Sequence, residues 1–170
     1  KIHKSGVCGS DLHYFRHGGL GSFKSQMPLS LGHEASGIIV DRNGSSFKNY
    51  SKVTIDPLNH ACCPASKKNN PHHCEIWGDK INICPHGLYL GANNFQGTFR
   101  EHIVLHKSQL TLINDDKVFD LAHLFEPLNI SMYAVQQANI NFDKEKNVLI
   151  FGAGTIGLFI AEVLKALGLK

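Results

Sequence analysis

Three observations predict a mixed fold for this 170-residue chain: a β-rich domain over residues 1–125, followed by the start of a doubly wound α/β domain over residues 126–170. First, short apolar segments alternate with glycine-rich turns in the first part, a pattern typical of a small barrel or sandwich. Second, Pro127 suits the first position of a helix, because its fixed φ is helical and its missing N–H donor costs nothing there. Third, the apolar run 147–151 ends at Gly152 and leads into a helix that stops near Gly168, as at the start of a parallel sheet.

The individual elements follow from local patterns. Residues 1–7 resemble the end of a strand, so we expect the natural amino terminus to lie upstream of Lys1. Ser10 and Asp11 are suitable caps for a helix that begins near Leu12. The remaining predictions are strands at 36–40, at 53–55 and at 97–106, and helices at 127–138 and after Gly152.

Composition and charge argue against several classes of function. No apolar run approaches the roughly 20 residues that span a bilayer, which argues against a membrane protein. The net charge of +3 is scattered along the chain, without the basic stripe of a nucleic-acid-binding surface. The five cysteines are odd in number and too few for a disulfide scaffold, so a reducing compartment with thiols available to a metal is expected.

A glycine-rich turn follows the apolar run: Gly152, Ala153, Gly154, Thr155, Ile156, Gly157. This GxGxxG pattern between a strand and a helix is typical of a dinucleotide site, where the helix amino terminus receives the pyrophosphate. The alternative is an ordinary glycine turn in any α/β protein. The residue that selects NAD or NADP lies about 20 positions further on, so the sequence leaves that choice open.

Three possible metal ligands are spread along the chain: Cys8, His33 and Glu126. Each has an ordinary interpretation by itself, as a small buried side chain, a hydrogen-bonded core histidine and a helix-end acid. Together they match the three protein ligands of a catalytic zinc site, which leaves a fourth position for water or substrate.

Five motifs stand in a fixed order: GVCGSDLHY at 6–14, LGHEASG at 31–37, GTFREH at 97–102, EPL at 126–128 and VLIFGAGTIG at 148–157. In this order and at these separations, the sequence resembles the zinc-containing medium-chain alcohol and polyol dehydrogenases over nearly its whole length. The resemblance implies a GroES-like catalytic domain with its amino terminus missing, followed by the start of a Rossmann domain that lacks its carboxyl-terminal part. We therefore expect the 170 residues alone to be inactive.

The resemblance also implies roles for single residues. Cys8, His33 and Glu126 would bind the catalytic zinc, and Glu34 would lie beside the metal and exchange with the water of its open site. Asp11 would orient a ligand, as metal-bound imidazoles usually require. Ser10 and then His13 would transfer the proton of the substrate hydroxyl. Tyr14 and Phe99 would shape the substrate pocket.

The implied reaction is transfer of a hydride from a secondary alcohol to NAD or NADP, with zinc stabilising the alkoxide. The segment 6–21, the motif GTFREH and Ser108-Gln109 most resemble the polyol and sugar-acid branch, L-idonate 5-dehydrogenases first and sorbitol dehydrogenases next. The family likeness further implies a homodimer or homotetramer in the cytoplasm.

A lobe rich in cysteine and histidine holds Cys62, Cys63, Cys74 and Cys84, where many relatives carry a structural zinc on four cysteines. The spacing departs from the family pattern, since Cys62 and Cys63 are adjacent and the separation of Cys74 from Cys84 is too long. A non-standard zinc site and a lobe without metal both remain open. A second departure is the stretch 49–52, where the family usually has a Gly-Asp turn.

Three other interpretations are weighed against this one. A zinc-free reductase of the same fold would lack the Cys8, His33 and Glu126 set. A zinc-binding module without enzymatic activity would not need the GxGxxG strand and helix. A non-catalytic relative that binds nucleotide stays open, and a complete protein without bound zinc would favour it.

Overall fold

The computed structural model describes residues 1–25, 27–59, 66–67, 70–74, 81–84, 86–92, 95–141 and 147–169, of which 23, 66–67, 70–74 and 81 are described by their backbone alone. The chain divides into two units, Lys1–His123 and Leu124–Lys170. Besides short 3-10 turns such as Lys107–Gln109, the described part of the first unit contains ten short strands and two α-helices. They are β1 Ile2–Ser5, α1 Gly9–His17, β2 Gly19–Leu20, β3 Phe23–Lys24, β4 Ala35–Ile38, β5 Lys52–Ile55, β6 Leu58–Asn59, β7 Ser66–Lys67, β8 Asn70–Cys74, β9 Leu88–Tyr89, β10 Leu110–Leu112 and α2 Asp116–Leu121.

The main sheet of the first unit is antiparallel, with the strand order β1-β4-β5-β10. Three two-stranded pairs accompany it: β2 with β3, β6 with β9, and β7 with β8. Alternate residues of β5 point inward, so Val53 and Ile55 are buried while their neighbours are half-buried, as the strand period of two requires. The predicted strands at 36–40 and 53–55 agree with β4 and β5.

The hydrophobic core of this unit forms around Ala35, Ile55 and Leu90. Partly buried apolar side chains pack against these three: Ile2, Phe95, Ile103, Leu105 and Leu110. The core therefore includes Ala35, the first residue of β4, and this gives a rigid support to the predicted ligands His33 and Glu34, which directly precede it.

Helix α1 begins earlier than predicted. Its cap is Cys8, and the carboxylate of Asp11, in the third helical position, accepts a hydrogen bond from the Cys8 backbone N–H at 2.9 Å. Asp11 thus closes the first turn from inside the helix, so Ser10 and Asp11 do not precede it as expected. Gly18 ends the helix at φ +66°, a conformation that glycine adopts without steric cost.

Residues 97–106 do not form the predicted strand. The N–H groups of residues 97–99 donate to carbonyl oxygens of residues 30, 32 and 31, at 2.6, 2.9 and 2.8 Å respectively. Both segments are irregular, so these bonds do not continue as a ladder. The apolar residues Ile103 and Leu105 alternate with polar or exposed ones because both are partly buried against the core. Such alternation also occurs outside strands.

The stretch 49–52, which lacks the family's Gly-Asp pair, forms its turn with a non-glycine residue in the left-handed region. Tyr50 has φ +66°, and its N–H donates to the Ile39 carbonyl at 2.6 Å. This hydrogen bond ties the turn to the chain that follows β4. The departure from the family pattern therefore leaves β5 in place.

The second unit contains two helices, α3 Phe125–Gln137 and α4 Thr155–Ala166. Helix α3 begins two residues before the predicted start at Pro127, because the short 3-10 turn Ala122–Leu124 leads directly into it. Helix α4 ends as predicted at Gly168, whose φ is +98°. Gly168 N–H bonds to Lys165 O and Leu169 N–H to Leu164 O, which is the Schellman pattern.

The predicted buried strand at 147–151 is absent. Leu149 and Phe151 are 78% and 91% exposed, and no strand among the described residues pairs with this segment. A strand needs a hydrogen-bonded neighbour, whereas a helix forms its hydrogen bonds internally. The turn and helix that follow therefore form as predicted while the strand does not.

No helix in the described part of the chain is both long enough and apolar enough to cross a membrane.

The first testable prediction concerns Ser36 of β4, which is fully buried and whose Oγ has no hydrogen-bond partner among the described residues. A buried hydroxyl without a partner costs about 1–3 kcal/mol. We expect Ser36→Ala to leave the free energy of unfolding unchanged or to raise it by about 1 kcal/mol, measured by urea denaturation.

Ser131→Ala is the matched control. Ser131 is equally buried, but its Oγ donates to the Pro127 carbonyl at 2.9 Å, so its loss should lower the free energy of unfolding by about 1 kcal/mol. A clear loss of stability in Ser36→Ala would contradict the prediction.

Candidate metal centre

Three side chains with metal-binding atoms converge where β1 and β4 meet. The ligand atoms of Cys8, His33 and Glu34 all lie within 4.8 Å of one another. Antiparallel pairing of Ser5 with Ala35 places the chain before α1 beside the chain before β4. The Gly6 N–H then donates to the Glu34 carbonyl at 2.7 Å. The sheet register thus brings Cys8 close to two residues that are 25 and 26 positions away in the sequence.

Asp11 lies behind this group and is almost fully buried, at 3% exposure. One carboxylate oxygen accepts from the Cys8 N–H at 2.9 Å, and the other accepts from the Gly32 N–H at 2.8 Å. The second oxygen also lies 3.7 Å from Nδ1 of His33. Asp11 therefore fixes the backbone at Cys8 and at Gly32, directly before His33. It also faces one nitrogen of the His33 imidazole, as a partner of a metal-bound histidine does.

The loop before His33 depends on Gly32, whose φ is +91°. A Cβ built at Gly32 would overlap the ring of Phe99 and lie 2.8 Å from Oγ1 of Thr98. Only glycine combines this backbone angle with such close neighbours. The prediction that Phe99 shapes a substrate pocket is untested; its ring contacts the loop that carries His33.

A second glycine provides space for the Glu34 side chain. A Cβ built at Gly6 would overlap the Glu34 carboxylate oxygen Oε2. Glu34 is 7% exposed, so its carboxylate has little room to move elsewhere. The glycine before Cys8 therefore keeps the carboxylate close to the thiol and the imidazole.

The electrostatics of the site favour a thiolate. A hydrogen bond from His33 lowers the pKa of Cys8 most, burial opposes this shift, and hydrogen bonds from the side chain and backbone of Ser10 lower the pKa further. A cysteine thiolate, an imidazole and a carboxylate are ligands typical of zinc, whereas calcium and magnesium prefer oxygen alone. The donor set therefore fits zinc.

The predicted proton-transfer residues both belong to α1. Ser10 is hydrogen-bonded to Cys8 and thus lies beside the metal-binding group. His13 is exposed, and its ring centroid lies 5.9 Å from that of His17. Tyr14 is buried in the same helix.

The other predicted metal ligands belong to the second unit or to the cysteine-rich lobe. Glu126 is half-buried in the first turn of α3, in the second unit, and its role as third ligand stays a prediction. Cys62 and Cys63 lie outside the described residues, and Cys74 is described only as the last backbone position of β8. Cys84 is buried. A structural zinc on these four cysteines therefore stays one of two hypotheses, beside a lobe without metal.

The predicted cofactor turn begins at Gly152, with φ +100°. Gly154 caps α4, and Thr155 and Ile156 open the helix, all with exposed positions. A Cβ at Gly157 would overlap the Gly152 carbonyl oxygen. The first and last glycines are thus required by backbone angle and close approach, as in a dinucleotide-binding turn.

Sequence reasoning missed the residues that bind the loop that leads to His33. The side-chain oxygen of Gln96 accepts from the Ser30 N–H at 2.9 Å, and its nitrogen donates to the Pro28 carbonyl at 3.0 Å. Thr98 bonds to Gly32 and to Ser5. Separations of 66 to 93 residues leave no local signal from which these contacts could be predicted.

Residues 1–115 match the family described as the alcohol dehydrogenase GroES-like domain. A D-xylulose reductase A of Aspergillus niger is 32% identical over 166 residues, which cover 96% of this chain and 43% of that protein. The crystal structure of L-idonate 5-dehydrogenase from Escherichia coli superposes with a TM-score of 0.78 at 30% identity, covering 98% of this chain and 46% of that one. The chain thus spans less than half the length of these relatives.

A third similar protein is a dehydrogenase from Sinorhizobium meliloti, described as zinc-binding and solved with NADP bound. It is 26% identical with a TM-score of 0.75, and the match covers 98% of this chain and 44% of that one. The matches agree with the predicted fold and family.

The second testable prediction follows from the Cys8–His33 hydrogen bond. In metal-free protein, alkylation of Cys8 by iodoacetamide, followed by peptide mass spectrometry, should reach half its maximal rate at a lower pH than alkylation of an ordinary cysteine thiol, because the pKa of Cys8 is lowered. His33→Gln should move the midpoint upward, because it removes the largest cause of the lowered pKa.

His102→Gln is the control, since His102 is an exposed histidine of the same unit. It should leave the midpoint unchanged. An unchanged midpoint in His33→Gln would show that the imidazole does not stabilise the thiolate.

Proposed function

Because the chain belongs to the family of the alcohol dehydrogenase GroES-like domain, we propose that it forms the zinc-binding part of a nicotinamide-linked dehydrogenase that oxidises a secondary alcohol of a polyol or sugar acid. The observation that carries the proposal is the convergence of Cys8, His33 and Glu34 within 4.8 Å, with Asp11 facing His33. Sulfur, nitrogen and oxygen donors with a buried carboxylate partner form a typical zinc environment.

Cys8 and His33 would bind the metal from the first unit, and Glu126 would complete the three ligands of a catalytic site. The pattern of three protein ligands leaves one open position, and Glu34 would lie beside it. A zinc ion bound there supplies the positive charge that lowers the pKa of a substrate hydroxyl.

The side chains of this chain would then receive the hydroxyl proton. Ser10 is hydrogen-bonded to Cys8 and is the first candidate acceptor, because its own hydroxyl proton can pass onward as the new one arrives. His13, exposed on the same helix, is the candidate that transfers the proton to solvent. The buried Asp11 carboxylate has a separate role, which is to hold His33 in one orientation.

The glycine turn 152–157 would bind the pyrophosphate of the cofactor. Its support is the positive φ of Gly152 and the lack of space for a side chain at Gly157, directly before the exposed amino terminus of α4. NAD or NADP supplies the hydride acceptor; NADP is bound in the similar Sinorhizobium meliloti dehydrogenase. The fold of the whole enzyme would be a GroES-like catalytic domain followed by a Rossmann domain.

For the substrate, L-idonate is the first candidate and sorbitol the second, on the likeness of the motifs to that branch of the family. The similar Aspergillus niger protein adds D-xylulose as a candidate for the reverse reaction. We further propose a homodimer or homotetramer in the cytoplasm, as the family likeness implies.

The third testable prediction concerns metal content. The full chain is dialysed first against buffer that contains zinc and then against buffer without zinc. It should retain at least one zinc ion per chain, measured by plasma mass spectrometry. Cys8→Ser and His33→Gln should each lower this content by one equivalent, because each removes a ligand of the same site. His102→Gln should leave it unchanged. A second equivalent in the wild-type chain that survives Cys8→Ser would support a structural zinc in the cysteine-rich lobe.

The fourth testable prediction concerns turnover, in a protein that joins these 170 residues to a complete nucleotide-binding domain. We expect reduction of NAD or NADP with L-idonate or sorbitol, abolished by a chelator and restored by zinc. Glu126→Ala should lower kcat/KM by at least about 100-fold, because ligand loss removes transition-state stabilisation. Zinc retention without turnover on any of these substrates would move the proposal to another alcohol, and absence of zinc would favour the non-catalytic, nucleotide-binding interpretation.

A further inference from the structure

We propose that Thr98 is a positioning residue of the metal centre, which holds the two chain segments that carry Cys8 and His33 in register. The inference rests on the proposed zinc site. Thr98 has no place in the predicted ligand set or in the proton path, and it contacts both segments.

The contacts of Thr98 are made by two different groups. Its backbone N–H donates to the Gly32 carbonyl at 2.9 Å, one residue before His33. Its hydroxyl lies 2.8 Å from the hydroxyl of Ser5, at the end of β1 and three residues before Cys8. Thr98 is 1% exposed and Ser5 is half-buried, so water has limited access to the hydrogen bond between their hydroxyls. One buried residue thus joins the approach to each of the two ligands.

Asp11 and Thr98 together hold the Gly32 residue by both of its backbone polar groups. Asp11 accepts from the Gly32 N–H at 2.8 Å, and Thr98 donates to its carbonyl. Asp11 also binds the Cys8 N–H, while the Thr98 hydroxyl meets Ser5 on the same strand-to-helix segment. Asp11 and Thr98 thus each connect the segment 5–8 to Gly32.

The Thr98 hydroxyl is also sterically defined. A Cβ built at Gly32 would lie 2.8 Å from Thr98 Oγ1, so the hydroxyl occupies the space beside that glycine. Loss of the oxygen would remove the link to Ser5 and leave the β1 end without this anchor. Because zinc affinity depends on ligand geometry, outer partners of this kind typically change metal affinity by about 10–100-fold when they are removed.

The test uses the full chain and three variants. Thr98→Val keeps the shape and removes the hydroxyl, Thr98→Ser keeps the hydroxyl, and Ser5→Ala removes the same hydrogen bond from its other end. Zinc affinity is measured by competition with a chromophoric chelator, and the absorption spectrum of bound Co²⁺ reports ligand geometry. Thermal unfolding of the metal-free forms measures the structural effect separately.

We expect Thr98→Val and Ser5→Ala each to weaken zinc binding by about 10-fold and to alter the Co²⁺ spectrum. Thr98→Ser should remain within about twofold of the wild type. The double variant Ser5→Ala/Thr98→Val should be no weaker than either single variant, because both remove one and the same interaction.

The inference would be overturned if both Thr98→Val and Ser5→Ala kept the zinc affinity and the Co²⁺ spectrum of the wild type. This holds even if their metal-free forms unfold at a lower temperature, because the hydrogen bond would then stabilise the fold without affecting the metal site. Failure of both variants to fold would overturn it in the same way. A wild-type chain that binds no zinc would overturn the proposed function and this inference together, whereas zinc binding that is insensitive to the hydroxyl would overturn the inference alone.

Discussion

The carboxylate of Asp11 is buried to 3% exposure, and a charge in that environment is tolerated only where hydrogen bonds replace its water. Here the N–H groups of Cys8 and Gly32 replace it, and Nδ1 of His33 lies nearby. The requirement acts in both directions. The carboxylate needs these donors, and the two segments that supply them can satisfy it only when they lie side by side, which is the arrangement that brings the thiol and the imidazole together.

The β1–β4 pairing makes this arrangement possible at low cost. Ser5 lies opposite Ala35, and Ala35 belongs to the core with Ile55 and Leu90, so the strands are held by apolar burial independently of the site. The segment between the end of β1 and Cys8 is short, and so is the segment between His33 and the start of β4. Both therefore have little conformational freedom. The chemistry of the site is thus carried by irregular chain positioned on a packed sheet, which is how binding residues are commonly presented.

The two units differ in how much of their structure arises from local interactions. Helix α4 begins after the glycine turn and ends in a Schellman motif at Gly168, all of which is specified by neighbouring residues. The apolar run 147–151 has no paired neighbour among the described residues and remains exposed. The same reasoning explains the segment 97–106: Ile103 and Leu105 are partly buried against the core, but the backbone of 97–99 bonds to an irregular loop and not to a strand.

The sequence by itself determined the family, the β-rich first part, the helices and the candidate ligands. These follow from motif spacing, strand alternation and glycine turns, which can be identified without the fold. The match over residues 1–115 confirms the family and fold predictions. Two predicted strands were wrong, because pairing depends on a distant partner that a local pattern does not reveal. Only the tertiary structure decided that Glu34 points beside Cys8, that Asp11 joins both segments, and that Thr98 meets Ser5 across 93 residues. These contacts arise from sheet register and burial, which are properties of the folded chain as a whole.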